Sequence, residues 1–204
     1  MVNSRVVYYL RAITFAPRCD CLSDVPQITH HPAKRYMKNI TLVGFMGTGK
    51  TTVGKILAGR LGYTFVDSDD EVEGEQGVAI SHIFSEFGEA YFRQLEKDMI
   101  KKLSGMERLV ISTGGGAVLD AENLVNMKRG GPVVCLAASP EVILKRVEGF
   151  THRPLLQVPD PLTKIKELLE FRAPYYARAD ITVDTSSLLP EEVVNEIIKR
   201  VEGI

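Results

Sequence analysis

GFMGTGKTT occupies residues 44–52, directly behind the hydrophobic run Ile40-Thr41-Leu42-Val43. It contains the pattern G-x-x-x-x-G-K-T, closed by Gly49, Lys50 and Thr51. Gly44, Gly47 and Gly49 let the backbone turn tightly so that its N–H groups point inward at a phosphate, and a helix opening there adds its positive end. Lys50 then reaches the outer phosphates and the Thr51 hydroxyl suits magnesium. So short a pattern recurs by chance, and its context decides. Here a β-rich run precedes it, and Lys50 to Leu61 carries Val53, Ile56, Leu57 and Leu61 on one helical stripe, with Gly62 placed to end the helix. A strand, a glycine loop and a helix in that order predict a nucleotide phosphate site.

Working outward, β-rich runs alternate with helical stretches. The runs are 40–43, 63–67, 109–112, 133–137 and 181–184, read as strands largely apolar on both faces. The helical stretches are 50–61, a segment from Glu89 with Phe92, Leu95, Met99 and Leu103 on one side, then 121–129, 140–147, 163–176 and 190–201. Alternation of this kind predicts an α/β fold, three layers α/β/α around a parallel sheet with right-handed crossovers. Ligands in such sheets bind beyond the carboxyl ends of the strands. The first predicted strand ends in the glycine loop, the second in Asp67-Ser68-Asp69, and the third in Thr113-Gly114-Gly115-Gly116. Three polar or glycine-rich elements on one rim make a site.

The whole chain is ordinary for a globular protein. It has 204 residues, 45% hydrophobic and 25% charged, with a net charge of −1 that gives no field to attract nucleic acid or an anionic membrane. No apolar run approaches the ~20 residues of a membrane helix. Three cysteines make no disulfide framework, so a reducing, cytoplasmic setting is expected. Residues 1–36 read as a separate N-terminal extension, with Arg5, Arg11, Arg18, Lys34 and Arg35 against only Asp20 and Asp24. This stretch is a targeting peptide, a flexible arm, or sequence upstream of a working start at Met37. Cys19, Cys21, His30 and His31 are spaced wrongly for a zinc finger. Residues 37–204 form the predicted domain.

Individual residues leave alternatives open. Asp67 and Asp69, two apart, point the same way on an extended backbone and suit a metal and an acceptor hydroxyl; alternatively they cap the next helix. No later apolar strand ends in an aspartate before residue 148, so Asp67 is the candidate for the metal. Gly114, Gly115 and Gly116 offer bare backbone to a ligand, or serve a loop needing positive φ. Arg93 and Glu96 have the spacing of a surface ion pair. Arg153 lies in a stretch from Glu148 to Asp160 with two prolines, Pro154 and Pro159, which reads either as a mobile lid carrying an arginine or as an exposed loop. Arg172 is a ligand or a solvated helix residue.

Together GFMGTGKTTVGK, VDSDDEVE, FGEAYFR, STGGGAV, THRPLL and FRAPYY, in this order and spacing, closely resemble the shikimate kinases, from Met37 to near the C-terminus. The resemblance implies a P-loop kinase fold with a five-stranded parallel sheet and a mobile lid. It also implies a monomer that moves the γ-phosphate of ATP, with Mg2+, to the 3-hydroxyl of shikimate on the route to chorismate and the aromatic amino acids. By the same resemblance Gly47, Thr48, Gly49, Lys50 and Thr52 hold ATP phosphates, while Thr51 and Asp67 serve the metal. Asp69 takes the shikimate hydroxyls and is the candidate base. Arg93 and Arg172 grip the carboxylate, Gly114, Gly115 and Gly116 lie against the ring, and Glu96 orients this region. Arg153 becomes the lid arginine, with Arg146 and Pro190 on the adenine side. An anionic acid with several hydroxyls suits a cationic fork at one end and a carboxylate at the other. Leu188 departs from the pattern, standing where some relatives have arginine.

Overall fold

In the computed structural model of the protein, residues 39–148 and 158–203 are described. The extension 1–36, including its cysteines and histidines, and Arg153 with the centre of the predicted lid lie outside them. The strands are β1 (Asn39–Val43), β2 (Thr64–Asp67), β3 (Leu109–Ser112), β4 (Val133–Ala137) and β5 (Ile181–Asp184). All pair in parallel in the order β2-β3-β1-β4-β5. The order reverses at β1, with β2 and β3 on one side of it and β4 and β5 on the other. The carboxyl end of β1 is therefore the natural place for a ligand crevice, and the glycine loop stands there.

Strand alternation builds the layers. Ile40 and Leu42 of β1 and Val134 and Leu136 of β4 face one core, closed by α1 (Lys50–Leu61) and α7 (Pro190–Val201). Val43, Val133 and Cys135 face the opposite core, closed by α4 (Ala121–Gly130), α5 (Pro140–Val147) and α6 (Pro161–Tyr176). The third core packs Leu109 and Ile111 of β3 against α2 (Ser68–Gln76) and α3 (Ile80–Ser104). Burial raises the Cys135 thiol to about 11, so it carries no thiolate at neutral pH. Among the described residues no helix is long and apolar enough to cross a membrane.

Three expectations are corrected. The edge strands are not apolar on both faces, since Thr64 of β2 and Thr182 and Asp184 of β5 are exposed; an edge strand has a neighbour on one side only. The helix expected from Glu89 begins earlier, at Ile80, and is interrupted at Gly88, where φ 80° and ψ 172° break the helical path. A left-handed φ there costs glycine little, which is why the apolar stripe was legible only beyond it. Asp67 and Asp69 do not share an extended backbone. The Asp67 carboxylate accepts a hydrogen bond from the Asp69 N–H at 3.1 Å, which ends β2 and starts α2 with Asp69 in its first turn.

Candidate active site

Local chain geometry shapes the loop after β1. Gly44, Gly47 and Gly49 all have positive φ, at 140°, 77° and 96°. The Phe45 carbonyl accepts from Thr48 Oγ1 at 2.8 Å and from Lys50 Nζ at 3.0 Å, and the Gly44 carbonyl takes the same ammonium at 2.9 Å. Lys50 is thus folded back over the loop it follows. Behind the loop, the Thr185 hydroxyl lies 3.1 Å from the Thr48 carbonyl and 3.0 Å from that of Ala137, and accepts from Arg146 Nη1 at 2.9 Å. Arg146 also donates to the Thr185 carbonyl at 2.6 Å and the Gly47 carbonyl at 3.4 Å. These contacts tie the loop to the ends of β4 and β5.

The loop forms one wall of a cleft of about 960 Å³. The whole stretch from Gly47 to Thr52 lines it, as do Asp67, Asp69, Gly114 and Gly115. Arg146, Leu188, Leu189 and Pro190 edge its far side. Arg93, Gly116 and Arg172 are not on its wall but reach it through their neighbours. Arg172 donates to the Gly115 carbonyl at 3.3 Å, which also accepts from Tyr176 Oη at 2.8 Å, and its guanidinium lies over the Phe45 ring. Arg172 is buried, which sets aside the reading of a solvated helix residue.

Asp67 caps the next helix and also lines the cleft. Besides starting α2, its second oxygen accepts from Thr51 Oγ1 at 3.3 Å, so two hard oxygen donors meet at the foot of the phosphate loop. Asp69 Oδ1 is buried with no hydrogen-bond partner. Burial, then repulsion from Asp67 and Glu96, push its carboxyl up to about 7 despite Lys50 and Arg93. The Arg93–Glu96 pair forms, at 2.8 Å, but not as a surface pair: the Glu96 side chain is 2% exposed. Burial raises the Glu96 carboxyl, opposed by Arg93. Positive φ does not explain Gly114, Gly115 and Gly116, none of which has it.

Tyr176 and Phe84, which lines the cleft, escaped the sequence reading. Tyr176 carried a signal, lying one helical turn beyond Arg172 on the same face. Thr185, in the stretch 184–190 that the resemblance puts on the adenine side, stands just past the carboxyl end of β5.

A phosphate loop at the reversal of a five-stranded parallel sheet, with a high-pKa carboxylate and two arginines around it, defines a P-loop phosphotransferase. The family description "Shikimate kinase" matches residues 46–202. The chain is 53% identical to the shikimate kinase of Thermodesulfovibrio yellowstonii over 82% of its own length and 97% of that protein's. It is 50% identical to that of Persephonella marina, over 81% and 99%. A shikimate kinase from Acinetobacter baumannii, solved in complex with shikimate, superposes with a TM-score of 0.78 at 40% identity, covering 82% of this chain and 94% of that one. The chain belongs to the shikimate kinase family.

Proposed function

We propose that this chain transfers the γ-phosphate of ATP to the 3-hydroxyl of shikimate, giving shikimate 3-phosphate for aromatic amino acid biosynthesis. One observation carries the assignment of roles: the glycines after β3 bring Asp69, Arg172 and Arg93 together beside the phosphate loop. A carboxylate at one end and two guanidiniums at the other match an acid that carries hydroxyls. The loop N–H groups and Lys50 hold the β- and γ-phosphates. Arg93 and Arg172 fix the carboxylate of shikimate, and Glu96 and Glu89 hold the Arg93 fork in place, Glu96 at Nη1 and Glu89 at Nε and Nη2. Asp69 accepts the proton of the 3-hydroxyl as its oxygen bonds to the γ-phosphorus and the bond to the β–γ bridging oxygen breaks, leaving ADP. A carboxylate titrating near neutrality is well matched to that proton.

Among the described residues no cluster of three or more His, Cys, Asp or Glu side chains could hold a metal ion. The fit to magnesium is through few donors: the Thr51 hydroxyl and the Asp67 carboxylate would hold it, with nucleotide phosphates completing its shell. When bound, Mg2+ neutralises charge on the β- and γ-phosphates. Arg146 and Pro190 flank the adenine, with Leu188 replacing a polar contact by an apolar one. The protein acts as a cytoplasmic monomer, and residues 1–36 are an extension of the catalytic domain.

ADP release from Mg-ATP, with and without shikimate, on chains beginning at Met1 and Met37 tests this reading. Shikimate-dependent release in both supports the reaction and makes the extension dispensable; release in neither sinks it, with gluconate and nucleoside monophosphates the next acceptors to try. Arg153→Ala is expected to lower kcat more than it weakens shikimate binding, because a lid arginine acts in the closed, reacting state. An unchanged kcat would remove Arg153 from the mechanism.

A further inference from the structure

The glycines at 114–116 need an explanation other than backbone conformation. Gly116, for example, has φ −96° and ψ −9°, which other residues also adopt. What distinguishes the three is what a side chain would meet. A Cβ on Gly114 would stand 3.0 Å from Asp69 Oδ1 and 3.0 Å from Glu96 Oε1, two buried oxygens without a hydrogen-bond partner. On Gly115 it would stand 3.4 Å from Arg172 Nη1. On Gly116 it would lie 2.8 Å from Arg93 Nη2 and 2.9 Å from Nη1. The contact at 116 is closer than real Cβ atoms come, and something must shift. What shifts is the tip of a flexible side chain and not the backbone.

We propose that Gly114 and Gly116 are positioning residues, each acting by the side chain it lacks: the gap at 114 seats the Asp69 carboxylate at the acceptor hydroxyl, and the gap at 116 seats the Arg93 guanidinium at the acceptor carboxylate. This rests on the acceptor reading given above. Two glycines only two residues apart thereby govern opposite ends of the acceptor. Their replacement should separate in the kinetics. Gly114→Ala pushes the group that takes the proton by a few tenths of an ångström and is expected to lower kcat about tenfold, less than the ~100-fold of a misplacement near 1 Å. Gly116→Ala is expected to raise KM for shikimate about tenfold, as a weakened charge-assisted contact does, and to move kcat much less. KM for ATP should stay within about twofold in both, since neither gap borders the phosphate loop.

The test is a pair of double-mutant cycles on the full chain, Gly116→Ala with Arg93→Ala and Gly114→Ala with Glu96→Ala, read both as steady-state constants and as ligand-free Tm. If Gly116 acts through Arg93, Gly116→Ala adds almost nothing to KM once Arg93 is alanine, and any effect on Tm vanishes with it. At 114, Glu96→Ala should return part of the lost kcat by giving Asp69 room. Additive losses in KM in the first cycle would overturn the proposal, as would a common drop in Tm and ATP affinity for both glycine variants. Absence of shikimate-dependent ADP release from the unmodified chain would instead overturn the acceptor reading, while the Tm cycle would still report whether Arg93 and Gly116 compete for the same space.

Discussion

Asp69→Asn is expected to stop turnover and to stabilise the ligand-free protein at the same time. Asn cannot accept the hydroxyl proton, and loss of a general base costs roughly 10²–10⁴-fold in kcat. ATP binding should stay near normal, because the phosphate loop is built by β1 and α1. The stability change follows from linkage. The carboxyl moves from an ordinary 3.8 to about 7 on folding. Between these values the folded chain holds a proton that the unfolded chain has released, so stability falls as pH rises from about 4 to about 7 and then levels off. Three pKa units correspond to about 4 kcal/mol above that window, an upper figure because neighbours relax. The Asn variant escapes this cost. Even half of it would raise Tm by roughly 4–8 °C at pH 8 without nucleotide or magnesium, and the advantage should vanish near pH 3. Equal Tm values at pH 8 would show that Asp69 is not destabilised by its surroundings. Weakened ATP affinity with preserved turnover would show that its role has been misplaced.

Gly44→Ala carries the largest expected structural effect. Its Cβ would stand 2.3 Å from the Leu136 carbonyl oxygen and 3.2 Å from Thr48 Oγ1, on a backbone with φ 140°. The obstacle at Leu136 is backbone in β4, paired on both sides with β1 and β5. It has nowhere to retreat. Overpacking and a strained φ together cost roughly 2–6 kcal/mol, which lowers Tm by about 10 °C. ATP affinity should fall with it, since the loop must lift off β4. Gly49→Ala gives the contrast: φ is 96°, but nothing lies closer than Val53 Cγ2 at 3.9 Å. Only the strain of about 1–3 kcal/mol remains there. Thermal unfolding of the two variants beside the parent checks the difference. Equal losses would mean that the crowding against β4 is relieved at no cost.

What the sequence made legible was local. The phosphate loop, the α1 stripe ending at Gly62 and the five strands are each written in consecutive residues, and the structure places them there. Candidate site residues at the carboxyl ends of β1, β2 and β3 were legible because a parallel sheet puts all those ends on one rim. Residues whose meaning comes from a distant partner were not. The i,i+3 spacing of Arg93 and Glu96 says that they can pair, but not that the packing of the 114–116 segment buries Glu96. The triple glycine reads as bare backbone for a ligand or a loop needing positive φ until Asp69, Arg172 and Arg93, coming from α2, α6 and α3, are seen filling the space where its side chains would be. Asp67 was read as either cap or site residue, although its two oxygens let it cap α2 and meet Thr51 at once.

The Thr185 hydroxyl also bears on how the chain is made. It meets the Thr48 carbonyl across 137 residues, and it also positions Arg146. The phosphate loop is synthesised 137 residues before the hydroxyl that braces it from behind. A nascent chain holding β1 through β4 therefore has the loop sequence without the Thr185 contact. The ability to capture ATP should arrive late and abruptly in synthesis, once β5 has paired with β4 and Thr185 has reached the loop.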